Sequence, residues 1–300
     1  MRVLITGATG LIGSEIAKQC QSKNIAINYL TTNKSKLSTA EGFKGFYWNP
    51  SESIIDIECL KDVDVIIHLV GASISKRWTD NYKKQIISSR TQTTQLLFNT
   101  LKNNPNQVTQ IISASAIGIY PSSMTKYYTE ENTEVSTSFL GQVVQQWEQA
   151  VDLFSTLNIN VAKIRIGLVL SAKGGALPEM AKPIKFGAGA AFGSGKQWQS
   201  WIHITDLANL FLYVLDNKLK GVYNGVAPNP ETNQHLTKAI AKQLKRPVIL
   251  PNIPKFMMNF ILGEMHNLLF ESQRVSSKKV ETSGFNFEYY NLQMALEEEL

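Results

Sequence analysis

Met1-Arg-Val-Leu-Ile-Thr-Gly7-Ala-Thr-Gly10-Leu-Ile-Gly13 reads as a strand, a glycine-rich turn and the first turn of a helix, with nothing between them. Val3, Leu4 and Ile5 form the continuous apolar run expected of a parallel strand buried on both faces, and Ser14 to Gln21 continues as a helix. Gly7 permits a tight turn, Gly10 lets the backbone approach a phosphate, and Gly13 lets the helix pack closely on the strand. Thr9, Leu11 and Ile12 complete a turn whose free helix-start amides can receive a pyrophosphate. The G-x-x-G-x-x-G spacing is looser than the usual G-x-G-x-x-G, but the strand before it and the helix after it supply the context that a dinucleotide site needs.

The same alternation continues outward. Strands are expected at Asn24–Leu30, Phe43–Trp48, Val63–Val70, Val108–Ser113 and Ile159–Leu170, with helices at about Asp80–Lys102 and Phe139–Thr156. Parallel neighbours need crossover helices, so this pattern implies an α/β fold: a Rossmann-type, doubly wound parallel sheet. After Leu170 the pattern breaks into the glycine-rich stretches Gly174-Gly175 and Gly187 to Gly195, followed by short elements and scattered prolines. The expected division is a cofactor domain at 1–170 plus about 201–227, and a smaller, mixed C-terminal substrate domain at 171–200 and 228–300. The second would cover the carboxyl ends of the strands.

Composition narrows the class. The 300 residues are 43% hydrophobic and 18% charged, enough for a sizeable core and unlike a disordered chain. The net charge of +6 is spread over isolated lysine pairs such as Lys83-Lys84, with no basic run, so no nucleic-acid partner is expected and an anionic small molecule is the better use of the excess. Cys20 and Cys59 are too few for a disulfide framework. His68, His203, His235 and His266 lack metal-ligand spacing, so no metal is expected. No signal peptide or membrane-spanning stretch is read, which implies a cytoplasmic protein with no membrane partner.

The end of the second strand should distinguish the two dinucleotides, because an acid there would hold the ribose hydroxyls of NAD. Thr31-Thr32-Asn33-Lys34-Ser35-Lys36 contains none, and its hydroxyl, amide and ammonium groups favour the 2′-phosphate of NADP(H) over NAD(H). His68-Leu69-Val70-Gly71-Ala72 offers a second small-residue turn to pass under the cofactor, with His68 itself read as a core histidine. Gly193-Ser194-Gly195-Lys196 ends like a P-loop, but Gln197 follows where Ser or Thr should hold magnesium. In Trp201-Ile202-His203-Ile204-Thr205-Asp206, Thr205 or Asp206 is expected to cap the next helix.

Taken with Arg77-Trp78, Ser89-Arg90, Ser113-Ala-Ser-Ala-Ile-Gly118, Trp147-Glu148, Gly174-Gly-Ala-Leu177, Leu262-Gly-Glu264, Ser272-Gln-Arg-Val275 and Gly284-Phe-Asn-Phe287, these segments resemble a known group over the whole chain. The chain is similar to atypical extended short-chain dehydrogenases/reductases. Within them it resembles the bacterial epimerase family proteins, which carry their own C-terminal domain and are related to NAD(P)-dependent epimerases/dehydratases. The resemblance implies cofactor contacts at Leu69, Gly71, Ala72, Arg90, Ser113 and Gly167 as well as in the first turn, a small-molecule substrate, and the homodimer common among such proteins.

One departure stands out. The superfamily places a tyrosine four residues before a lysine on the helix after the serine strand. With Trp147-Glu148 setting the register, those positions fall at Leu140 and Val144, neither of which can transfer a proton. Ser115 remains where the resemblance implies a serine that orients the reacting oxygen. Tyr120 is the candidate proton carrier, with packing or substrate contact as its alternative. Arg165, Trp201 and Arg274 are candidate contacts for an anionic substrate, with ion pairing the alternative for Arg165 and a structural role for Arg274. Two functions are expected from this set: an NADP(H)-dependent oxidoreductase or nucleotide-sugar-epimerase-like enzyme, or a non-catalytic NADP(H)-binding redox sensor or interaction protein.

Overall fold

The computed structural model describes residues 1–300. Seven parallel strands form the main sheet: β1 (Arg2–Thr6), β2 (Ala26–Thr31), β3 (Phe43–Asn49), β4 (Val65–His68), β5 (Gln110–Ala116), β6 (Asn160–Ile166) and β7 (Gly221–Gly225). Their order is 3-2-1-4-5-6-7, so the direction of winding reverses between β1 and β4. Ligands of such sheets bind in the crevice at that reversal, outside the carboxyl ends of the strands. Two short antiparallel strands, Thr39–Ala40 and Ile54–Ile55, flank β3.

Both faces of the sheet are covered. Helices α1 (Leu11–Ser22), α2 (Asp80–Asn103), α3 (Phe139–Asp152), α4 (Ala176–Lys185) and α5 (Ile204–Asp216) follow in chain order. Val3, Ile5, Ile67 and Ile112 turn to one face and pack with Ile16 of α1 and Leu207 and Phe211 of α5. Leu4, Ile66 and Ile111 turn to the other and pack with Leu96, Leu97 and Leu101 of α2. This alternation is why the strands read as uninterrupted apolar runs.

The stretch from Ile159 to Leu170, expected as one strand, is divided at Gly167. A Cβ there would strike the Ser200 carbonyl oxygen, so another segment crosses at this point. Leu168–Leu170 instead pairs in parallel with Trp201–His203. A further core gathers there, from Leu170, Leu177 of α4, Trp201, Leu236 and Leu296. Trp201 is wholly buried and its indole donates to the Asn229 carbonyl at 2.8 Å, so its expected place against a substrate is corrected to a place in this core.

The start of α5 also differs from expectation. His203 caps it, its Nδ1 accepting from the Thr205 amide at 3.2 Å. Asp206 is buried and accepts from the backbone amides of Glu288 and Tyr289, both at 2.9 Å, so it ties the C-terminal segment to α5. Asp206→Ala leaves those two amides without their acceptor. It should lower unfolding free energy by about 1–3 kcal/mol in chemical denaturation, with Asp206→Asn losing less. A loss below about 0.5 kcal/mol for the alanine variant would contradict this tether.

Candidate functional site

The turn after β1 is built for close approach. Gly7 has φ +76°, its carbonyl accepts from the Gly10 amide at 3.0 Å, and a Cβ on Gly13 would run into that same carbonyl. A Cβ on Gly10 would stand 3.3 Å from it. Gly10 begins α1 with no side-chain cap, and the Ser14 hydroxyl turns back to the Leu11 carbonyl. The first-turn amides of α1 therefore have no capping side chain, beside exposed Thr9 and Gly10 and half-buried Leu11 and Ile12. Gly7 abuts Leu69 across the β1–β4 reversal, so the turn stands in the crevice itself.

The facing turn after β4 is braced from beneath. The Leu69 amide donates to Thr6 Oγ1 at 3.1 Å, and the Ala72 amide donates to Ser89 Oγ at 2.8 Å. Arg90 sends Nη1 to the carbonyls of Ile86 (2.9 Å) and Ala72 (3.3 Å) and lies 5.1 Å from the Trp147 ring. A Cβ on Gly71 would sit 2.8 Å from the Arg90 Cζ, so a larger residue there would displace the guanidinium. Burial lowers the Arg90 pKa to about 10, and no carboxylate comes within ion-pair distance of it. His68 lies between Thr6 (2.8 Å) and Thr94 (3.0 Å), wholly buried, and burial pushes its pKa down to about 4. It is a neutral core histidine. Ser113 is also wholly buried, its hydroxyl turned to the Ala114 carbonyl, whereas Gly167 is half-buried at the Ser200 crossing.

The loop after β2 is open. Thr32, Asn33 and Lys34 are exposed, Thr31 Oγ1 accepts from the Asn33 amide at 3.1 Å, and Asn33 Oδ1 accepts from the Ser35 amide at 2.9 Å. Lys34 Nζ stands 4.9 Å from the centre of the Tyr47 ring. No acid occurs from Leu30 to Lys36.

Beyond the reversal the polar groups are closed in. The register of three parallel strands sets Ser115, Arg165 and Asn224 side by side. Facing them from α3 is Glu148, 6% exposed. The Ser115 hydroxyl donates to Glu148 Oε1 at 2.6 Å, and Arg165 donates from Nε to Oε1 (2.8 Å) and from Nη2 to Oε2 (3.0 Å). Lys163 Nζ lies 3.4 Å from Oε2 and 2.7 Å from Asp152. Arg165 Nη1 donates to the Tyr120 hydroxyl at 3.0 Å, and Tyr120 donates to Asn224 Oδ1 at 2.8 Å. Burial pushes the Glu148 carboxyl up, but the hydrogen bonds and charge of Arg165, with Ser115 and Lys163, outweigh it and hold the group below the usual carboxylate range. Burial raises the Tyr120 phenol despite Arg165, so it stays protonated.

These contacts sort the expected residues. Ser115 and Tyr120 are brought together, but both are buried and both hydroxyl protons are engaged. Arg165 is corrected from an anion contact to the ion-paired alternative, because Glu148 and Tyr120 occupy its guanidinium. Leu140 and Val144 lie buried on α3, and Glu148 follows Val144 by one helical turn. Glu148 is the residue that the sequence reading used only for register. The available signal was a carboxylate at the i+8 position of the apolar series Leu140, Val144, opposite a strand bearing Lys163 and Arg165. Arg274 remains exposed, 4.4 Å from the Trp198 ring and 5.2 Å from Tyr127, with no acidic partner.

Residues 3–225 match the NAD dependent epimerase/dehydratase family, and residues 253–299 match a domain of unknown function, DUF1731. An epimerase family protein of Staphylococcus haemolyticus is 36% identical over 296 residues, covering 98% of this chain and 97% of that protein. A crystal structure of human epimerase family protein SDR39U1 (isoform 2) with NADPH superposes with a TM-score of 0.86 at 27% identity, covering 99% of this chain and 98% of the human one. The nucleoside-diphosphate sugar epimerase from Corynebacterium glutamicum gives a TM-score of 0.79 at 30% identity, covering all of this chain and 58% of that one.

Glu148→Gln removes the negative charge between two buried cations and should lower unfolding free energy by about 3–5 kcal/mol near neutral pH. A carboxyl whose folded pKa is depressed stabilises above its unfolded value, near 4.5, and that contribution is lost as pH falls through the folded value. The gap between the parent and Glu148→Gln in denaturant titrations should therefore be full above pH 5 and narrow in acid. A gap that stays constant through the acid range would contradict this reading.

Proposed function

The chain belongs to the NAD dependent epimerase/dehydratase family, and from that premise we propose that it is an NADP(H)-dependent oxidoreductase or epimerase-like enzyme acting on a small anionic substrate. The observation that carries the proposal is the uncapped turn from Gly7 to Gly13, whose shape only hydrogen in place of a Cβ allows. The residues fit the cofactor. Gly7, Thr9, Gly10, Leu11 and Ile12 would hold the pyrophosphate, and Thr31, Thr32, Asn33 and Lys34 the 2′-phosphate. Leu69, Gly71, Ala72 and Gly167, on the other side of β1 from β2, would line the nicotinamide half of the cofactor's path, with Arg90 and Ser113 supporting it from beneath. NADPH in the human relative and the absence of an acid after β2 both favour the phosphorylated cofactor.

When bound, the nicotinamide supplies a hydride donor or acceptor. In this proposal Ser115 orients the reacting oxygen by accepting a hydrogen bond from the substrate hydroxyl, because its own proton goes to Glu148. Tyr120 is a positioning residue, held between Arg165 and Asn224, and the transferred proton comes from water or substrate. Arg274 is the anion contact, its guanidinium fixed beside two aromatic rings and free of acids. Residues 171–200 and 228–300 act as the substrate-covering part. A second reading, cofactor binding without turnover, is favoured by one observation: α3 contains no tyrosine or lysine, and Leu140 and Val144 stand where the resemblance would put that pair.

Fluorescence titration should give NADPH binding at least about tenfold tighter than NADH, a difference of about 1.4 kcal/mol. Lys34→Glu should narrow that ratio, and Gly10→Asp should abolish binding of both. Equal affinities would sink the NADP assignment, and unchanged binding by Gly10→Asp would place the site elsewhere. Reduced-cofactor absorbance followed with anionic carbonyl compounds and sugar nucleotides should show turnover, with KM raised in Arg274→Ala. Tight NADPH binding with no turnover on any of them leaves the second reading.

A further inference from the structure

The helix α6 (Asn233–Gln243) is followed by a proline-spaced loop and then by α7 (Lys255–Leu262), whose amphipathicity is turned inside out. Met258 is its buried residue. Phe256 and Phe260, one helical turn apart, are 74% and 88% exposed, and Met257 and Ile261 beside them are 46% and 59% exposed. The preceding loop adds Ile249 at 77%. The four α7 side chains alone leave on the order of 500 Å² of apolar surface in water, near the upper end of what a monomer carries without a partner. The helix is nevertheless anchored: it begins at Pro254, ends at Gly263 with φ +58°, and the segment after it packs Met265 and Leu268 against the cluster around Trp78. An apolar face held outward on an anchored helix is a docking surface.

The charge around it identifies the partner. Residues 232–263, which hold α6, the loop and α7, contain five lysines or arginines and no acid. The stretch that leads into α7 and carries it is thus basic throughout. Lys238, Lys242, Lys245, Arg246 and Lys255 are exposed, and none of the five lies within ion-pair distance of a carboxylate. Such a surface repels its own copy and attracts an anionic one. Phenylalanine, methionine and isoleucine on a short helix that begins with Lys255 and follows Lys245 and Arg246 suit a bilayer interface, where apolar side chains reach the acyl boundary and ammonium groups stay among headgroups.

We propose that α7 and its basic surround dock this protein peripherally on an anionic lipid membrane surface. No helix is long and apolar enough to cross a membrane, so the attachment is superficial and reversible by salt. The inference does not rest on the cofactor reading, and it revises the expectation of no membrane partner, which considered only spanning and targeting segments.

The full-length protein should sediment with vesicles of mixed phosphatidylcholine and phosphatidylglycerol, weakly or not at all with pure phosphatidylcholine, and should be released as salt is raised. The double variants Phe256→Ser/Phe260→Ser and Arg246→Glu/Lys255→Glu should each weaken vesicle binding by about tenfold or more. Thermal unfolding and NADPH titration should match the parent, because these side chains lie outside the core and the cofactor turn. Failure of the folded parent to bind the mixed vesicles would overturn the proposal, as would binding unaffected by either double variant. A dimer in sedimentation equilibrium that Phe256→Ser/Phe260→Ser dissolves, without vesicle binding by the parent, would also overturn it and assign the face to a second copy.

Discussion

The buried carboxylate of Glu148 is the constraint around which the closed half of the site is organised. An ionised group at this depth is tolerable only if every oxygen is paired, and here the pairing comes from separate pieces of chain: Ser115 on β5, and Lys163 and Arg165 on β6. Because Arg165 also holds Tyr120, and Tyr120 holds Asn224 on β7, the charge fixes α3 against three strands at once. Asn224 then donates to the Ser276 carbonyl at 3.1 Å, which extends the same network into the C-terminal segment. Misplacing any one member strands a charge or a polar group away from water.

That arrangement explains why the two halves of the crevice differ so much. At β1 the turn is glycine-lined and has no side-chain cap, and the loop after β2 is exposed. At β5 and β6 the polar atoms satisfy one another. A lysine at position 144 would bring a further cation near a carboxylate already shared by Arg165 and Lys163. In the proposed reading, cofactor binding rests on the glycine turn, and no side chain of α3 transfers a proton.

Much of this was legible in the chain. The Gly7–Gly13 turn, the alternation of six strands with helices, the acid-free end of β2 and the apolar residues at 140 and 144 are all local patterns, and the fold preserves them, while the seventh strand, Gly221–Gly225, was not read from the chain. What sequence could not show depends on register. Arg165 reads as a free cation until the parallel pairing sets it between Ser115 and Asn224, opposite Glu148. Trp201 reads as an aromatic near the strand ends until the chain crossing at Gly167 carries it into a separate core. Asp206 sits where a cap would sit, yet its partners lie about eighty residues away. The outward face of α7 was hidden for the opposite reason: its composition is that of a core helix, and only burial shows which side faces water.

A crystal structure of the NADPH complex is the most direct measurement of this account. It should place pyrophosphate oxygens on the amides of Leu11 and Ile12. The Ser115–Glu148 and Arg165–Glu148 hydrogen bonds should stay intact, with Tyr120 still bonded to Asn224 and no side-chain phenol or amine against the nicotinamide ring. A complex in which Glu148 releases Ser115, or in which Tyr120 swings out to meet the nicotinamide, would contradict the central claim that the buried carboxylate holds these residues in a closed network.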